Sequence, residues 1–559
     1  MTLDQLSQNY NLAVLAPELS LTLFALAVLL FGAFFTDETQ RRLLPVLALL
    51  GAGISAASTA ALWDKGRVFG DPATAIYVAD NFALFFKWIF LIGLVAAILI
   101  SGRFLSPRSG DSHVVAGEYY GLMMLSTVGM MFVSGARDLL VLFLGIETLS
   151  IALYVLAGFS RRRFMSNEAS LKYFLLGAFA AGFLLYGIAM VYFATGSTLF
   201  PHIATAIAQG QITMADGTAR AVPQPILFIG MALLLIGLGF KAALVPFHQW
   251  TPDVYEGSPT PVTAFMAVGA KAAAFAAFLH VFPGVFGSLY GQWLNVVLVI
   301  AVLTMTVGNI IAISQSSLKR MLAYSSIAHA GYLLVGVLAA SAAAHGGSPD
   351  LEAARDATGG VLFYLVAYAL MNMGAFAVLV YLENVRDVQG ADRDSEEANI
   401  RISELSGLAW RQPLVAGALT VFLLSLAGIP PTAGFFGKFI IFREAVRQGL
   451  IGLVLVGVLN TVISVYYYLR PVLSMYTPDE AAQNMGSGDM LVESTGGGAA
   501  TLRSVARPLS LGIVLAIVLC AVAVIGMVIL QAAVFPMARD AAGLSASVPV
   551  TQGAVPLLR

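Results

Sequence analysis

"GFKAALVPFHQWTPDVYEG" (residues 239–257) closes an apolar run that begins near Pro225 and has the composition of a membrane span. A lysine, a proline and a histidine stand at its end, although lipid penalises the charge and the pyrrolidine ring breaks a helix. A second stretch, "GIPPTAGFFGKFIIF" (428–442), combines two prolines with a lysine in the same way. At membrane depth a helix break survives only where the freed backbone groups face protein or a wet cavity. Pro246, Pro430 and Pro431 therefore predict two interrupted transmembrane helices, each with a lysine near its break.

The remainder of the chain has the same character. Its 559 residues are 59% hydrophobic and 11% charged, against about 25% charged in a soluble protein. A net charge of −1 and the lack of a long basic run give no reason to expect nucleic acid. The single cysteine, Cys520, excludes disulfides, zinc sites and thiolate-held iron–sulfur clusters. No Gly-rich phosphate loop follows a strand-like segment, so neither a cofactor nor a metal is expected on this chain. The N-terminus lacks a basic stretch and its first apolar run continues to span length, so no cleavable signal is expected.

A bilayer core takes about 20 apolar residues per helix. Such runs lie near 12–35, 43–63, 81–101, 118–135, 138–158, 170–194, 225–247, 260–283, 291–314, 321–341, 360–382, 413–442, 449–474 and 508–535. The expected fold is thus an all-α integral membrane protein of about 14 transmembrane helices. Spans four to eight and nine to thirteen make two five-helix blocks, with a broken helix fourth in each. Five is odd, so consecutive copies point opposite ways, and paired broken helices in inverted repeats point to a transport path. The expected divisions are a three-helix segment (1–117), a first repeat (118–283), a second (284–475), a flexible polar loop (476–507) and a last helix with tail (508–559). A second polar stretch, 383–401, reads as a solvated acidic loop.

Lysine and arginine in the loops set orientation. With the N-terminus outside, sixteen basic residues, Lys319 and Arg320 among them, fall in cytoplasmic loops and nine outside. That bias places both termini on the outer, periplasmic side. Five of the thirty basic residues remain within spans, and all are lysines: Lys87, Lys172, Lys241, Lys271 and Lys438. Arginine stays charged almost everywhere, whereas a buried lysine can lose its proton. A device that moves protons inside a membrane needs the second kind.

Lys271 lies mid-span, about 16 Å along the helix from either end, out of reach of water by its own stem. Lys241 and Lys438 accompany the breaks. Lys172 lies within two turns of a helix end and can snorkel, and Lys87 opens its span and is read as snorkelling. Glu147 stands mid-span in "RDLLVLFLGIETLSIALYVLAGF" (137–159) with no cation near it on its own helix; Lys241 is its expected partner. His248, beside Pro246, and His329, in "YSSIAHAGYLL" (324–334), are possible relays or hydrogen-bonded packing residues.

Five stretches together resemble a known family: 240–275, "LFLGIETLSIALYVLAGF" (142–159), "SNEASLKYFLLGAF" (166–179), "LAYSSIAHAGYLL" (322–334) and "GIPPTAGFFGKF" (428–439). They are similar to the antiporter-like subunit N of proton-pumping NADH–quinone oxidoreductase, respiratory complex I, over roughly residues 10–475. The resemblance implies a membrane-arm subunit with a proton path through half-channels joined by central charges. It implies Glu147 and Lys241 as an ion pair, Lys271 as the central lysine, Lys438 as the lysine of the second broken helix, and Lys172 as a further family lysine. It also implies that FMN, the iron–sulfur clusters and the quinone site belong to other subunits, and that the partners are those subunits and the lipid of a bacterial inner membrane. An Mrp-type cation/proton antiporter, a related membrane-bound redox complex of the hydrogenase or ferredoxin type, and a scaffold whose charges only lock helices are the rival readings.

Overall fold

The structure, a computed structural model, describes residues 11–102, 104–105, 116–213, 218–346, 349–388, 399–478 and 510–543. The first apolar runs form α1 (Ala16–Phe34), α2 (Asp37–Leu62), α3 (Asn81–Ser101), α4 (Ala116–Gly135), α5 (Leu139–Ala157) and α6 (Phe164–Thr195). After the short α7 (Phe200–Gln209) come α8 (Gln224–Ala242), α9 (Trp250–Gly257) and the continuous rod α10 (Thr260–Val285). The second half holds α11 (Tyr290–Ile313), α12 (Leu318–His345), α13 (Leu351–Val388), α14 (Pro413–Ala427), α15 (Ala433–Arg447) and α16 (Ile451–Tyr476). Last are α17 (Leu511–Ile529) and α18 (Gln531–Ala541). Twelve of the described helices are long and apolar enough to cross a membrane. Two small antiparallel hairpins, Arg67–Val68 with Val78–Ala79 and Gln211–Thr213 with Ala219–Ala221, are the β-sheets among the described residues. The fold is that of an all-α membrane protein.

Helix-length apolar runs cannot by themselves say which helix is central, because all are hydrophobic. Side-chain size decides it. The Ala-rich α10, with α12 and α13, is buried nearly all round, whereas α1, α6 and α16 expose rows of Leu, Phe, Val and Tyr. Small residues let backbones approach closely. A Cβ on Gly129 would lie 2.5 Å from the Leu149 nitrogen, closing α4 on α5; one on Gly331 would lie 2.7 Å from the Met305 nitrogen, closing α12 on α11.

The two breaks have one backbone design. At the first, Ala243 is left-handed (φ 59°) and the Leu244 N–H donates to Gly239 O at 2.8 Å. At the second, Gly428 is left-handed (φ 83°) and the Ile429 N–H donates to Leu424 O at 3.1 Å. Each is a helix C-terminus closed by a left-handed cap and a bond reaching five residues back. Three residues after the cap stands Pro246 in one and Pro431 in the other, both after a cis peptide bond. The freed backbone groups are met by protein. Trp250 Nε1 donates to Phe240 O at 3.0 Å, and Thr304 Oγ1 accepts from the Val245 N–H at 3.0 Å. In the second break Lys438 itself donates to Leu426 O (3.2 Å) and Ala427 O (3.1 Å).

Three expectations change. Lys87 does not snorkel: it is fully buried, 2.7 Å from Glu18 Oε1. Lys319 is not a loop cation but is fully buried in the first turn of α12. The helix before the acidic loop runs on to Val388, so Glu383, Asn384 and Arg386 are helical. Stretch 389–398 of that loop, and all but the first residues of the polar loop 476–507, lie outside the described residues.

Candidate functional site

The breaks place their lysines on opposite halves. Lys241 lies in the last turn of α8, before its break, whereas Lys438 lies in α15, after its break. Lys241 Nζ donates to Ser150 Oγ at 2.6 Å and Tyr154 OH at 3.2 Å, both on α5. These residues are about one and two turns along from Glu147. The expected Glu147–Lys241 partnership therefore takes a different form: no ion pair closes between them, and Glu147 Oε1 is buried without a hydrogen-bond partner among the described residues. Ser150, itself bonded to Ile146 O, and Tyr154 stand where the carboxylate was expected.

Lys271 is 3% exposed and points from α10 to α12, where its Nζ donates to Ser326 Oγ at 2.6 Å and to Ser326 O. Its ammonium also lies over the Tyr368 ring, 5.7 Å from the centroid. One turn further along α12, His329 is bonded through Nδ1 to Tyr364 OH (2.6 Å) and through Nε2 to Tyr468 OH (3.0 Å). Tyr468 OH is also bonded to Ser325 Oγ. The next turn carries Tyr332, whose ring lies 5.8 Å from the His329 ring on one side and 4.6 Å from Lys438 Nζ on the other. Residues 325–332 of α12 thus bridge Lys271 on one flank to Lys438 on the other, through hydroxyls, one imidazole and an aromatic face. A cation over an aromatic ring gains about 0.5–2 kcal/mol, more when desolvated, and leaves the amine free of a fixed counter-ion.

His248 is half-buried at the first break. Lys172 lies at the surface, 41% exposed, with Glu168 at 2.7 Å and Asp253 at 2.8 Å. Asp253 also binds Arg320 (2.9 Å), which binds Glu256 (2.6 Å). This charged cluster pins α9 to α6 and α12 beyond the end of the buried axis, and it separates Lys172 from Lys241 in character. Among the described residues no group of three His, Cys, Asp or Glu could hold a metal ion.

Reading the sequence missed four features. The tyrosines 332, 364, 368 and 468 give no charge signal, although "FYLVAY" (363–368) sets two of them one helical turn apart and "VYYYLR" (465–470) carries a third in a run of three. Glu18, which accepts from Tyr77 OH at 2.6 Å, is 69 positions from Lys87, on another helix. Lys319 was hidden by its neighbour Arg320 in a loop-like dipeptide. Glu444, fully buried between Arg443 (2.7 Å) and Arg447 (3.2 Å) at the far end of α15, reads from sequence as a surface charge.

A bundle of membrane-length helices, two of them broken by one cap design and flanking a buried polar axis, defines an antiporter-like membrane protein. The family described as NADH:quinone oxidoreductase/Mrp antiporter, transmembrane region, matches residues 136–464, and the chain belongs to it. Among curated relatives, NADH-quinone oxidoreductase subunit N of Trichlorobacter lovleyi is 46% identical over 474 residues, covering 84% of this chain and 89% of that protein. Subunit N 1 of Herpetosiphon aurantiacus is 44% identical over 477 residues, 85% of this chain and 89% of its own. A chain of respiratory complex I from Thermus thermophilus superposes with TM-score 0.70 at 33% identity, covering 94% of this chain and 99% of that one. A chain of the Mrp complex of a Dietzia species superposes with TM-score 0.74 at 21% identity, covering 94% and 97%, a likeness of fold alone.

Proposed function

We propose that this chain is a proton-translocating membrane-arm subunit of an NADH–quinone oxidoreductase, driven by quinone reduction in other subunits. The supporting observation is the axis Lys271–Ser326/His329–Tyr332–Lys438, a run of exchangeable groups through the most deeply buried part of the bundle. The subunit N relatives favour the redox complex over the Mrp antiporter, whose likeness is one of fold. In this reading FMN, the iron–sulfur clusters and the quinone sit on partner subunits, and both termini face the outside of a bacterial inner membrane. Residues 118–283 and 284–475 act as two inverted repeats, a division supported by the matching caps at Ala243 and Gly428.

A proton taken up near Lys241 and His248 passes to Lys271, crosses by water, Ser326 and His329 to Lys438, and leaves at the opposite end. Glu147 and Lys241 couple this to the redox reaction: a shift of Lys241 between its hydroxyl partners and the unpartnered Glu147 oxygen changes the charge felt along the axis. Moving one proton against about 150 mV takes about 3.5 kcal/mol. A swing of about two to three pKa units in one relay group, at about 1.36 kcal/mol per unit, is of that size.

The experiment is Lys271→Met in membranes containing the whole complex. A conduit assembles normally and moves fewer protons per NADH oxidised. A scaffold assembles poorly but moves the normal number per assembled complex, and that result would refute the proposal.

A further inference from the structure

Lys319 is the one fully buried lysine outside the axis whose Nζ touches no carboxylate among the described residues. Its Nζ donates to Ser258 O at 2.5 Å, in the short link between α9 and α10. The charged groups around it are Glu383 on α13, Glu256 on α9 and Arg163 at the start of α6. Both carboxylates are engaged elsewhere: Glu383 accepts from Thr260 Oγ1 at 2.7 Å, and Glu256 is paired with Arg320 at 2.6 Å. A buried ammonium held only for structure needs a counter-ion in contact, because an unpaired charge costs several kcal/mol. Lys319 has instead one carbonyl and a carboxylate field from a distance, a setting that tolerates the amine in either protonation state.

Its place on α12 gives that tolerance a use. Ser326, the residue that holds Lys271, is seven positions on, two turns deeper on the same face and about 10 Å along the axis. The space alongside is polar. Tyr255, on α9, and Tyr368, on α13, stand beside the Ser326 hydroxyl, with the Tyr368 ring also beside Lys271. Lys319, Tyr255, Ser326 and Lys271 therefore descend in order from the end of the bundle where residues 257–260 and 314–320 meet.

We propose that Lys319, in place of the Lys241–His248 mouth, is the proton-uptake group for Lys271, leaving Lys241 its coupling role with Glu147, with Glu383 and Glu256 setting the field at this mouth. The proposal rests on the reading of Lys271 as a relay. The step is a proton hop: the Lys319 ammonium gives one proton inward toward Ser326 and Lys271, and the resulting amine takes one from the aqueous side. Only N–H and O–H bonds change.

The test compares Lys319→Met, Lys319→Arg and Lys271→Met in membranes holding the complete complex, reading complex content, NADH oxidation and protons moved per NADH. Arginine keeps the charge and a donor to Ser258 but does not release its proton. The expected result is that both Lys319 variants assemble and that their proton yield drops to the level of Lys271→Met. Restoration by arginine overturns the proposal, since a fixed charge would then suffice. A normal yield in Lys319→Met overturns it as well, and so does failure of both variants to assemble, which would make Lys319 a structural tie. If Lys271→Met is low while the Lys319 variants are normal, only this inference falls. If Lys271→Met is itself normal, the relay reading fails and takes this one with it.

Discussion

A lysine in lipid announces itself because nothing apolar explains it. Lys241, Lys271 and Lys438 were legible for that reason, and all three are buried on hydroxyl, carbonyl or aromatic partners. Lys87 was misread because a lysine near a helix end has two options, water or a partner, and only the fold brings Glu18 to it. A buried pair broken on one side leaves a stranded charge costing about 3–5 kcal/mol. Lys87→Met should therefore lower the melting temperature of the purified complex clearly, while Lys87→Met with Glu18→Gln recovers most of the loss. If the single and double variants melt alike, the pair is not what makes Lys87 matter. The tyrosines around His329 were illegible because an aromatic residue in a membrane helix is unremarkable until its hydroxyl is seen to meet an imidazole.

Helix breaks were legible from proline, but their construction was not. Sequence places a lysine near each break and suggests equivalence; the structure puts one lysine before its cap and the other after it. At the second break a side chain on residue 428 would meet Lys438, its Cβ 3.2 Å from Cδ and 3.3 Å from Nζ, and would also sit at positive φ. Gly428→Ala should cost about 1–3 kcal/mol from backbone strain alone and lower proton yield by displacing the amine. Ala243→Gly removes strain at the matching cap and leaves the Lys241 contacts intact. It should be neutral or stabilising, read as melting temperature and proton yield. Equal losses from both changes would mean that the caps are not equivalent.

The short α9 buries Trp250, Val254 and Tyr255 and is tied by charges as well: Asp253 joins Lys172 and Arg320, and Arg320 joins Glu256. Exposed pairs of this kind contribute about 0–1 kcal/mol each. Asp253→Asn should leave assembly intact and raise amide hydrogen exchange across residues 250–257, with exchange in α10 unchanged. Unchanged exchange at α9 would show that packing of Trp250 between Tyr173 (4.5 Å) and Phe240 (5.3 Å) is sufficient to hold it.

For the molecule as a whole, apolar run length gave the order of the helices, because each run had to be long enough to cross lipid. It could not give their arrangement, since every helix is greasy and only the small-residue contacts and the burial of α10, α12 and α13 separate centre from rim. The three innermost helices carry Lys271, His329, Tyr332, Tyr364 and Tyr368, and Tyr468 reaches His329 from α16, so the polar axis is buried within the bundle. Its limit at one end is the carboxylate–arginine group of Glu444, Arg443 and Arg447, and at the other the cluster at Asp253 and Arg320.

Exchange of hydrogen ions at amines deep in this bundle is tested most directly by Lys271→Arg, measured as protons moved per NADH oxidised in sealed membranes. The charge and most of the bulk remain, while release of the proton does not. Normal assembly and NADH oxidation with a reduced proton yield is expected; an unchanged yield would mean that Lys271 serves only as a fixed positive charge.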